Sequence, residues 1–466
     1  MKNQYELKNE KIGRLLLKYS LPAILSMMVT SLYNTVDRAF IGSIKDIGAL
    51  AISGLGVTMP LFTILGAFCV AISVGGSTNI SIKLGEEKKE EAERILGNTF
   101  ILSIIVALII MVFGFSFLEK ILYFLGASKE TIIYAKDYMS VILIGTWFNF
   151  PGFALNNAIR AEGNPKLAGK IMIISCALNI ILDPIFIFLF HMGIKGAALG
   201  TIICQFIVFL WTMYYFTLGK SNLKLRIKGK ILNKNILRAI ILIALTPFFM
   251  ELAAGFIHLI TNRVLKDYGG DLAIGAMTSI TSIYLLFLMP VFGLSQGMQT
   301  IVAYNYGAKE YKRAKKTLLM TIIIATSILT LGLVLIRIYP REFINIFTKD
   351  KELINIALNG LKIYTIALPT LGISILGAVY FQSIGNVKKS IFLSLLRQVI
   401  LFIPIVFIIP RVYGINGVWI SQPLADIGTT ILILIFLIKE LYIRDTNDLK
   451  MKKSNLLNWV KLNRKY

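Results

Sequence analysis

Long apolar stretches, each separated from the next by a short polar connector, recur along the whole chain. A bilayer core is about 30 Å thick, and a helix needs roughly 20 apolar residues to cross it. Because the alternation typical of transmembrane β-strands is absent, helices are the expected spanning structure. The pattern predicts twelve spans, at about residues 15–42, 50–77, 95–118, 132–158, 167–190, 196–219, 237–262, 271–302, 314–338, 354–382, 390–410 and 416–438.

The composition agrees with a membrane protein. Hydrophobic residues make up 56% of the 466 positions, only 16% are charged, and the mean hydropathy is +0.73. A soluble domain of this length would need more charge to cover its surface, so the apolar excess is expected to face lipid. We therefore predict an all-α membrane protein in which no long polar region is left for a soluble domain.

The basic residues predict the orientation in the membrane. The net charge is +24, and most Lys and Arg residues fall in alternate connectors, above all Lys220 to Arg238 and the tail from Lys439 to Lys465. An excess of Lys and Arg marks cytoplasmic connectors. We therefore expect a multi-pass protein of a bacterial or archaeal cell (inner) membrane with both termini in the cytoplasm. These basic runs are not expected to bind nucleic acid.

Four pairs of short motifs recur in register in the two halves of the chain. One match would be noise, but four in register in corresponding connectors and spans indicate an internal repeat. The alternative to a functional reading is a duplication kept only for packing. The pairs are Gly85–Ala92 with Gly307–Ala314, Gly163–Lys166 with Gly385–Lys388, Gly193–Gly196 with Gly414–Gly417, and Pro22 and Arg38 with Pro247 and Arg263.

The repeat predicts two lobes. Each half holds six predicted spans, an even number, so both halves start on the same side of the membrane. Such parallel repeats, related by an axis along the membrane normal, surround a central cavity in several transporter folds. We predict an N-lobe at 1–220, a cytoplasmic linker at 221–236, a C-lobe at 237–440 and a basic cytoplasmic tail at 441–466.

Two acids of the first half lie inside predicted spans, where a charge is costly and therefore indicates function. Tyr33 and Asp37 are four residues apart in span 1, and Asn179 and Asp183 are four apart in span 5, so each pair shares a helix face. Both acids fall in the outer half of the membrane. They could share a proton or a sodium ion. The alternative is separate pairing, for example of Asp37 with Arg38 at the water interface.

The second half does not repeat these acids. When the halves are aligned on their prolines, Asp37 corresponds to Asn262 and Asp183 to Ile403. Carboxylate coupling would therefore belong to the first half alone.

The second half has buried acids of its own. Glu251 in span 7 and Asp426 in span 12 lie near the middle of the membrane. They could attract a cationic substrate, or one of them could pair with Arg397 of span 11. The sequence leaves both readings open.

The motifs together resemble the multidrug and toxic compound extrusion (MATE) family over nearly the whole chain, and most closely its DinF-like bacterial and archaeal branch. The set is specific, although each piece alone is weak. The matching features are Pro22 through Tyr33 and Asp37 to Gly42, the connector Arg160–Lys166, the pair Asn179 and Asp183, and Gly196–Thr201.

This resemblance implies twelve helices in two lobes and outward export driven by entry of protons or sodium ions. In the DinF-like branch a polar network of the first lobe binds the coupling cation, and a bend in span 1, here at Pro22, is proposed to respond to protonation. Another branch couples through acids of its second lobe, a role not transferred to Glu251. On matching positions the network comprises Tyr33, Asp37, Tyr138, Asn156, Asn179, Asp183 and Thr201. If sodium is the coupling ion, Asp37, Asn179, Asp183 and Thr201 are its expected ligands.

The sequence thus predicts an antiporter that exports amphipathic, often cationic drugs or organic cations in exchange for H+ or Na+. We expect a monomer in membrane lipid, with no cofactor. A flippase for lipid-linked oligosaccharides, which shares the superfamily architecture, is the alternative. A membrane enzyme would need His, Asp or Ser clustered near the interface, and His191 and His258 lie far apart without such partners. We therefore expect no enzyme activity.

Overall fold

The N-terminal half of the protein is helical. The computed structural model describes residues 2–44, 48–225, 233–346 and 351–463. The N-terminal half forms α1 (Lys2–Asn9), α2 (Ile12–Gly42), α3 (Gly48–Gly85), α4 (Lys89–Phe124), α5 (Ile132–Glu162), α6 (Pro165–Pro184), a π-helical segment (Ile185–Leu189) and α7 (Gly193–Thr217).

The C-terminal half is also helical but more broken. Its first helix, α8, has two arms that meet at Gly270, where φ is 66° and ψ is −165°. The elements are α8 (Lys234–Gly307), α9 (Tyr311–Ile338), α10 (Pro340–Asn345), α11 (Lys351–Tyr364), a 3₁₀ turn (Leu368–Thr370), α12 (Leu371–Ser383), α13 (Val387–Leu395), a π-helical segment (Leu396–Phe402), α14 (Ile403–Ile408), α15 (Pro410–Tyr413) and α16 (Ile415–Asn463).

A repeated glycine–asparagine motif builds the same helix junction in each half. Gly163 ends α5 with φ 112°, a left-handed conformation that favours glycine, and the Asn164 side chain accepts a hydrogen bond from the N–H of Leu167 to cap α6. In the second half Gly385 has φ 72°, and Asn386 accepts from the N–H of Lys389. The sequence repeat is therefore a repeat of local structure.

The described helices account for most of the predicted spans. Ten are long and apolar enough to cross a membrane, and the bent pair Lys351–Tyr364 and Leu368–Ser383 makes an eleventh if it counts as one span. The twelfth predicted span, 416–438, is helical within α16 but is not among these candidates. Its polar residues Gln422 and Asp426 point into the protein, where the Gln422 amide donates to the Asp426 carboxyl.

The two halves pack closely at one end of the bundle, which we call the linker end because the chain passes from one half to the other there. At this end the hydroxyl of Ser221 donates to Glu162, the last residue of α5. Gly85 of α3 lies against the carbonyl of Tyr304, and Gly307 of α8 lies against the carbonyl of Ile82. The repeat-related glycines thus make reciprocal contacts, with no side chain between the backbones.

Candidate functional site

Asp183 and Asn179 form a buried pair on α6. Their side chains are 1% and 3% exposed, and the Nδ2 of Asn179 donates to the Oδ1 of Asp183 over 3.1 Å. Four residues make about one helical turn, which stacks the amide under the carboxyl. The next residue, Pro184, has no N–H to donate, and the helix widens into the π-helical segment from Ile185.

A second carboxyl reaches this pair from α2. Asp37 is 7% exposed and lies close enough to Asp183 for the two carboxyls to interact directly. The structure therefore brings together the two acids that the sequence singled out in spans 1 and 5. The side chains of Tyr33 and Arg38 lie outside the described residues.

Helix α7 closes the third side of the site. A methyl group added at Gly200 would lie 2.5 Å from the Oδ1 of Asp183 and 3.5 Å from the Nδ2 of Asn179. Only a glycine lets the α7 backbone come so near the carboxyl. Thr201, the next residue, is 8% exposed. Gly200 was not predicted as a site residue, although the motif Gly196–Thr201 that contains it was recognised.

Two acceptor atoms of this site are buried and unsatisfied. Within the described part of the chain, the Oδ2 of Asp183 and the Oδ1 of Asn179 have no hydrogen-bond partner. Leaving such an acceptor without a partner costs about 1–3 kcal/mol. Carboxylate and amide oxygens are suitable ligands for a hard cation, and a proton on Asp183 would also satisfy one of them. These oxygen atoms can therefore bind either a hard cation such as sodium or a proton.

Two other predicted network residues lie at different depths along α5. Tyr138 is 5% exposed and belongs to a core cluster with Ile194 and Ala197 at the end away from the linker. The Nδ2 of Asn156 instead donates to the carbonyl of Ala168 over 3.1 Å. Ala168 and Asp183 are fifteen residues apart on α6, or about 22 Å at 1.5 Å per residue. Asn156 is therefore not part of the Asp37–Asp183 cluster.

Pro22, the predicted hinge, lies inside a continuous α2. Its carbonyl accepts a hydrogen bond from the hydroxyl of Ser26 over 2.6 Å, and its ring packs against Gly169 of α6. On one side of it Ser20 packs on Gly297, and on the other Ile24 packs on Gly293. The same helix therefore contacts the opposite half around Pro22 and carries Asp37 further along.

In the C-terminal half, Asp426 is already engaged. Its carboxyl accepts from the hydroxyl of Tyr284 over 3.3 Å and from the Nε2 of Gln422 over 3.0 Å. The Nη1 of Arg397 lies 3.6 Å from its Oδ1. Of the two alternatives for this acid, pairing with Arg397 is the one that the structure shows.

Glu251 lines a cavity in the same half. The cavity has a volume of about 350 Å³ and a mixed wall, in which Met250, Leu285 and Phe292 are apolar and Arg397 is charged. Glu251 is exposed and forms no ion pair among the described residues. The two acids of the second half thus differ: one is paired, and the other is available to a ligand.

A sequence model of the MatE family matches residues 22–185 and 247–408, which together cover more than half of the chain. The chain belongs to the MatE family. Each match covers most of one half, so the internal repeat and the two-lobe fold are confirmed along with the resemblance, and the halves are the N-lobe and the C-lobe.

Relatives of this MatE protein match it over nearly its whole length. Multidrug export protein MepA of Staphylococcus haemolyticus is 28% identical over 90% of this chain and 92% of its own length. MepA of Staphylococcus aureus is 27% identical over 96% and 98%.

Solved structures show the same fold. The MATE multidrug transporter DinF-BH is 35% identical over 92% of this chain and 96% of its own, with a TM-score of 0.85. A MOP superfamily transporter from Pyrococcus furiosus has a TM-score of 0.90 at 22% identity, covering 96% and 99%.

Proposed function

We propose that this MatE protein is a multidrug efflux antiporter that exports amphipathic, often cationic small molecules in exchange for protons or sodium ions. The observation that carries the proposal is the meeting of Asp37 and Asp183 beside unsatisfied acceptor atoms of Asp183 and Asn179. Two buried carboxyls this close are strongly coupled, so they would bind a cation together rather than one by one. The names of the MepA and DinF-BH relatives support a drug as cargo.

The substrate site of this proposal is the C-lobe cavity. Glu251 is the acid left available there and would attract the cationic part of a drug, while Met250, Leu285 and Phe292 would contact its apolar part. Asp426 serves to hold Arg397 in place. The volume of about 350 Å³ is in the range of pockets that hold drug-sized ligands.

Helix α2 would link the cation site to the movement of the lobes. Asp37 lies at the cation site, whereas Ser20 and Ile24 of the same helix pack on the C-lobe. A ligand shifts a conformational equilibrium only if it binds one state more tightly. Cation binding that displaces Asp37 would change the packing of α2 around Pro22 and so favour one arrangement of the lobes.

We propose that the linker end and both termini face the cytoplasm, in the cell membrane of a bacterium. The basic residues of the linker and tail support this orientation. The lobes are then closed toward the cytoplasm, and Asp183 lies toward the outside, where an incoming cation would load.

The experiment is ethidium efflux from membrane vesicles with pH and sodium gradients imposed separately. We expect one gradient to drive efflux, and Asp37→Asn or Asp183→Asn to abolish it at normal membrane expression. The control is Asp137→Asn, because Asp137 pairs with Lys195 at a partly exposed position. If both variants export ethidium as the unchanged protein does, the proposed site is wrong. Transport of a lipid-linked oligosaccharide without drug efflux would favour a flippase.

A further inference from the structure

A buried guanidinium lies between the lobes, and no carboxylate of the described residues pairs with it. Arg160 of α5 is 6% exposed, and none of the ion pairs between described residues includes it. Its Nη1 donates to the side-chain oxygens of Gln296 and Asn157, which are neutral. Its Nε is buried and has no partner among the described residues. A buried charge without a partner of opposite sign is strongly unfavourable.

The surroundings of Arg160 form a polar cradle built by both lobes. Helices α3 and α5 belong to the N-lobe, and the second arm of α8 belongs to the C-lobe. The Nε2 of Gln299 donates to the hydroxyl of Thr78 over 3.0 Å, which leaves the Thr78 proton available to another acceptor. The wall contains the hydroxyls of Ser77, Ser81 and Thr300 and the amides of Asn157, Gln296 and Gln299. The Ser77 and Thr300 hydroxyls donate to backbone carbonyls, whereas that of Ser81 makes no hydrogen bond among the described residues.

The size of the cavity beside Arg160 limits which ligands can bind there. The cavity has a volume of about 10 Å³, roughly what one water-sized occupant needs. A sulfate, a phosphate or the carboxylate of a drug requires more room. Among anions, a monatomic ion needs the least room, and its charge would neutralise the guanidinium. Hydroxyl and amide N–H groups are the donors that such an anion needs once it has left water.

We propose that Arg160 and the surrounding hydroxyl and amide groups bind a chloride ion between the two lobes. The ion would neutralise Arg160 and accept hydrogen bonds from its guanidinium and from neighbouring hydroxyls such as those of Thr78 and Ser81. This site is separate from the Asp37–Asp183 cluster, which takes a cation at the opposite end of the bundle. Chloride binding here does not depend on drug export.

The site has a mechanical consequence because it is complete only when the lobes are packed. Gln296, Gln299 and Thr300 come from the C-lobe, and the remaining wall comes from the N-lobe. Separation of the lobes at the linker end would remove part of the wall and let water reach Arg160. Chloride would therefore bind the packed arrangement more tightly and raise its population.

Thermal unfolding of the purified full-length protein tests chloride binding without any transport assay. We expect sodium chloride to raise the Tm with a saturable dependence, relative to sodium gluconate at the same ionic strength. Arg160→Gln should remove the difference between the salts. Arg94→Gln is the matched control, because Arg94 is an exposed arginine at the same end of the N-lobe. Equal melting in both salts, or an undiminished difference in Arg160→Gln, would overturn the proposal.

Two further measurements keep the test decisive if Arg160→Gln does not fold. Ser81→Ala keeps the charge and removes a wall hydroxyl that makes no hydrogen bond among the described residues, so the midpoint of the chloride dependence should move to higher concentration by about tenfold, the effect of roughly 1.4 kcal/mol. Crystals grown in bromide should show an anomalous peak in the cavity beside the guanidinium of Arg160. A water molecule there, without anomalous signal at saturating bromide, would rule out the anion.

Discussion

Gly200 of α7 lies so close to Asp183 of α6 that a single methyl group at position 200 would be 2.5 Å from the Oδ1 of the carboxyl. This distance is shorter than a normal contact between a carbon and an oxygen. The backbone of α7 therefore forms part of the wall around the candidate cation site, and the absence of a side chain at position 200 is required by that wall.

Gly200→Ala should impair coupling while leaving the protein folded. The methyl group would push the Asp183 carboxyl away from its present position, and alanine is otherwise a better helix former than glycine. We expect cation-driven efflux to fall by about tenfold, within the usual range of coupling effects. Efflux in vesicles, compared at equal expression, measures this change.

The matched control for this substitution is Gly66→Ala, in the middle of α3, where an added methyl group meets no atom within 4 Å. That variant should transport as the unchanged protein does. If Gly200→Ala also transports normally, the close approach of α7 has no role in cation binding.

Asn179→Ala should weaken cation binding more than it slows the transport cycle. The substitution removes both the donor to Asp183 over 3.1 Å and the unsatisfied Oδ1, so the site loses a cation ligand but keeps both carboxyls. We expect the concentration of the driving cation at half-maximal efflux to rise by about tenfold, the effect of losing one hydrogen bond to a charged group. The maximal rate should change less.

Efflux measured across a series of cation concentrations separates these two quantities. Asn359→Ala is a suitable control, because Asn359 bonds to Asn416 at an exposed position of the C-lobe. An unchanged half-maximal concentration for Asn179→Ala would exclude Asn179 as a ligand, even if the rate fell.

The acids of this site could be predicted from the sequence because each is a charged residue in an apolar stretch with a polar neighbour one turn away. Gly200 could not be predicted in the same way, because its role depends on the distance between two helices. Asn156 entered the expected network through the family resemblance alone. Tyr138 and Asn156 are eighteen residues apart on α5, about 27 Å, so one ion could not contact both.

In the fold, too, some features could be predicted from the sequence and others could not. The apolar stretches predicted eleven of the spans well, since length and hydropathy define a membrane helix. The π-helical segments at Ile185–Leu189 and Leu396–Phe402 were not predicted. Pro184 directly precedes the first segment, and Pro404 lies two residues past the second. The missing proline N–H breaks the regular hydrogen-bond pattern, but a proline alone does not specify which irregular form results.

Breaking the pair of Arg397 and Asp426 should destabilise the C-lobe. Asp426 is 1% exposed, so Arg397→Met would leave a buried carboxylate without its cation, at a cost of about 3 kcal/mol. The double variant Arg397→Met with Asp426→Leu removes both charges and should recover much of the loss. Chemical denaturation of Arg397→Met, Asp426→Leu, the double variant and the unchanged protein measures the four free energies of unfolding that the comparison needs.

Additive losses in this double variant would contradict a direct pairing, because independent sites add. Lys136 with Glu119 is the control pair, since both side chains are more than half exposed. Removing one charge of that pair should change stability very little.

Gly85→Ala and Gly307→Ala should open the linker end. Gly85 lies against the carbonyl of Tyr304 and Gly307 against that of Ile82, so a methyl group at either position has no space while the lobes stay packed. We expect each substitution to shift the population toward lobes separated at this end, and the double variant to shift it further. Gly56→Ala, with no atom within 4 Å of the added methyl group, should leave the population unchanged.

Pulsed electron spin resonance between labels at Lys89 and Lys312 can measure this shift. Both positions are exposed and lie at the linker end, one in each lobe. The distance distribution of the glycine variants should gain a longer component, because separation of the lobes moves α4 away from α9. If the distribution stays that of the unchanged protein in both single variants and in the double variant, the reciprocal glycine contacts do not hold the lobes together. The packed linker end would then depend on the side-chain contacts of the interface, such as that of Gln299 with Thr78.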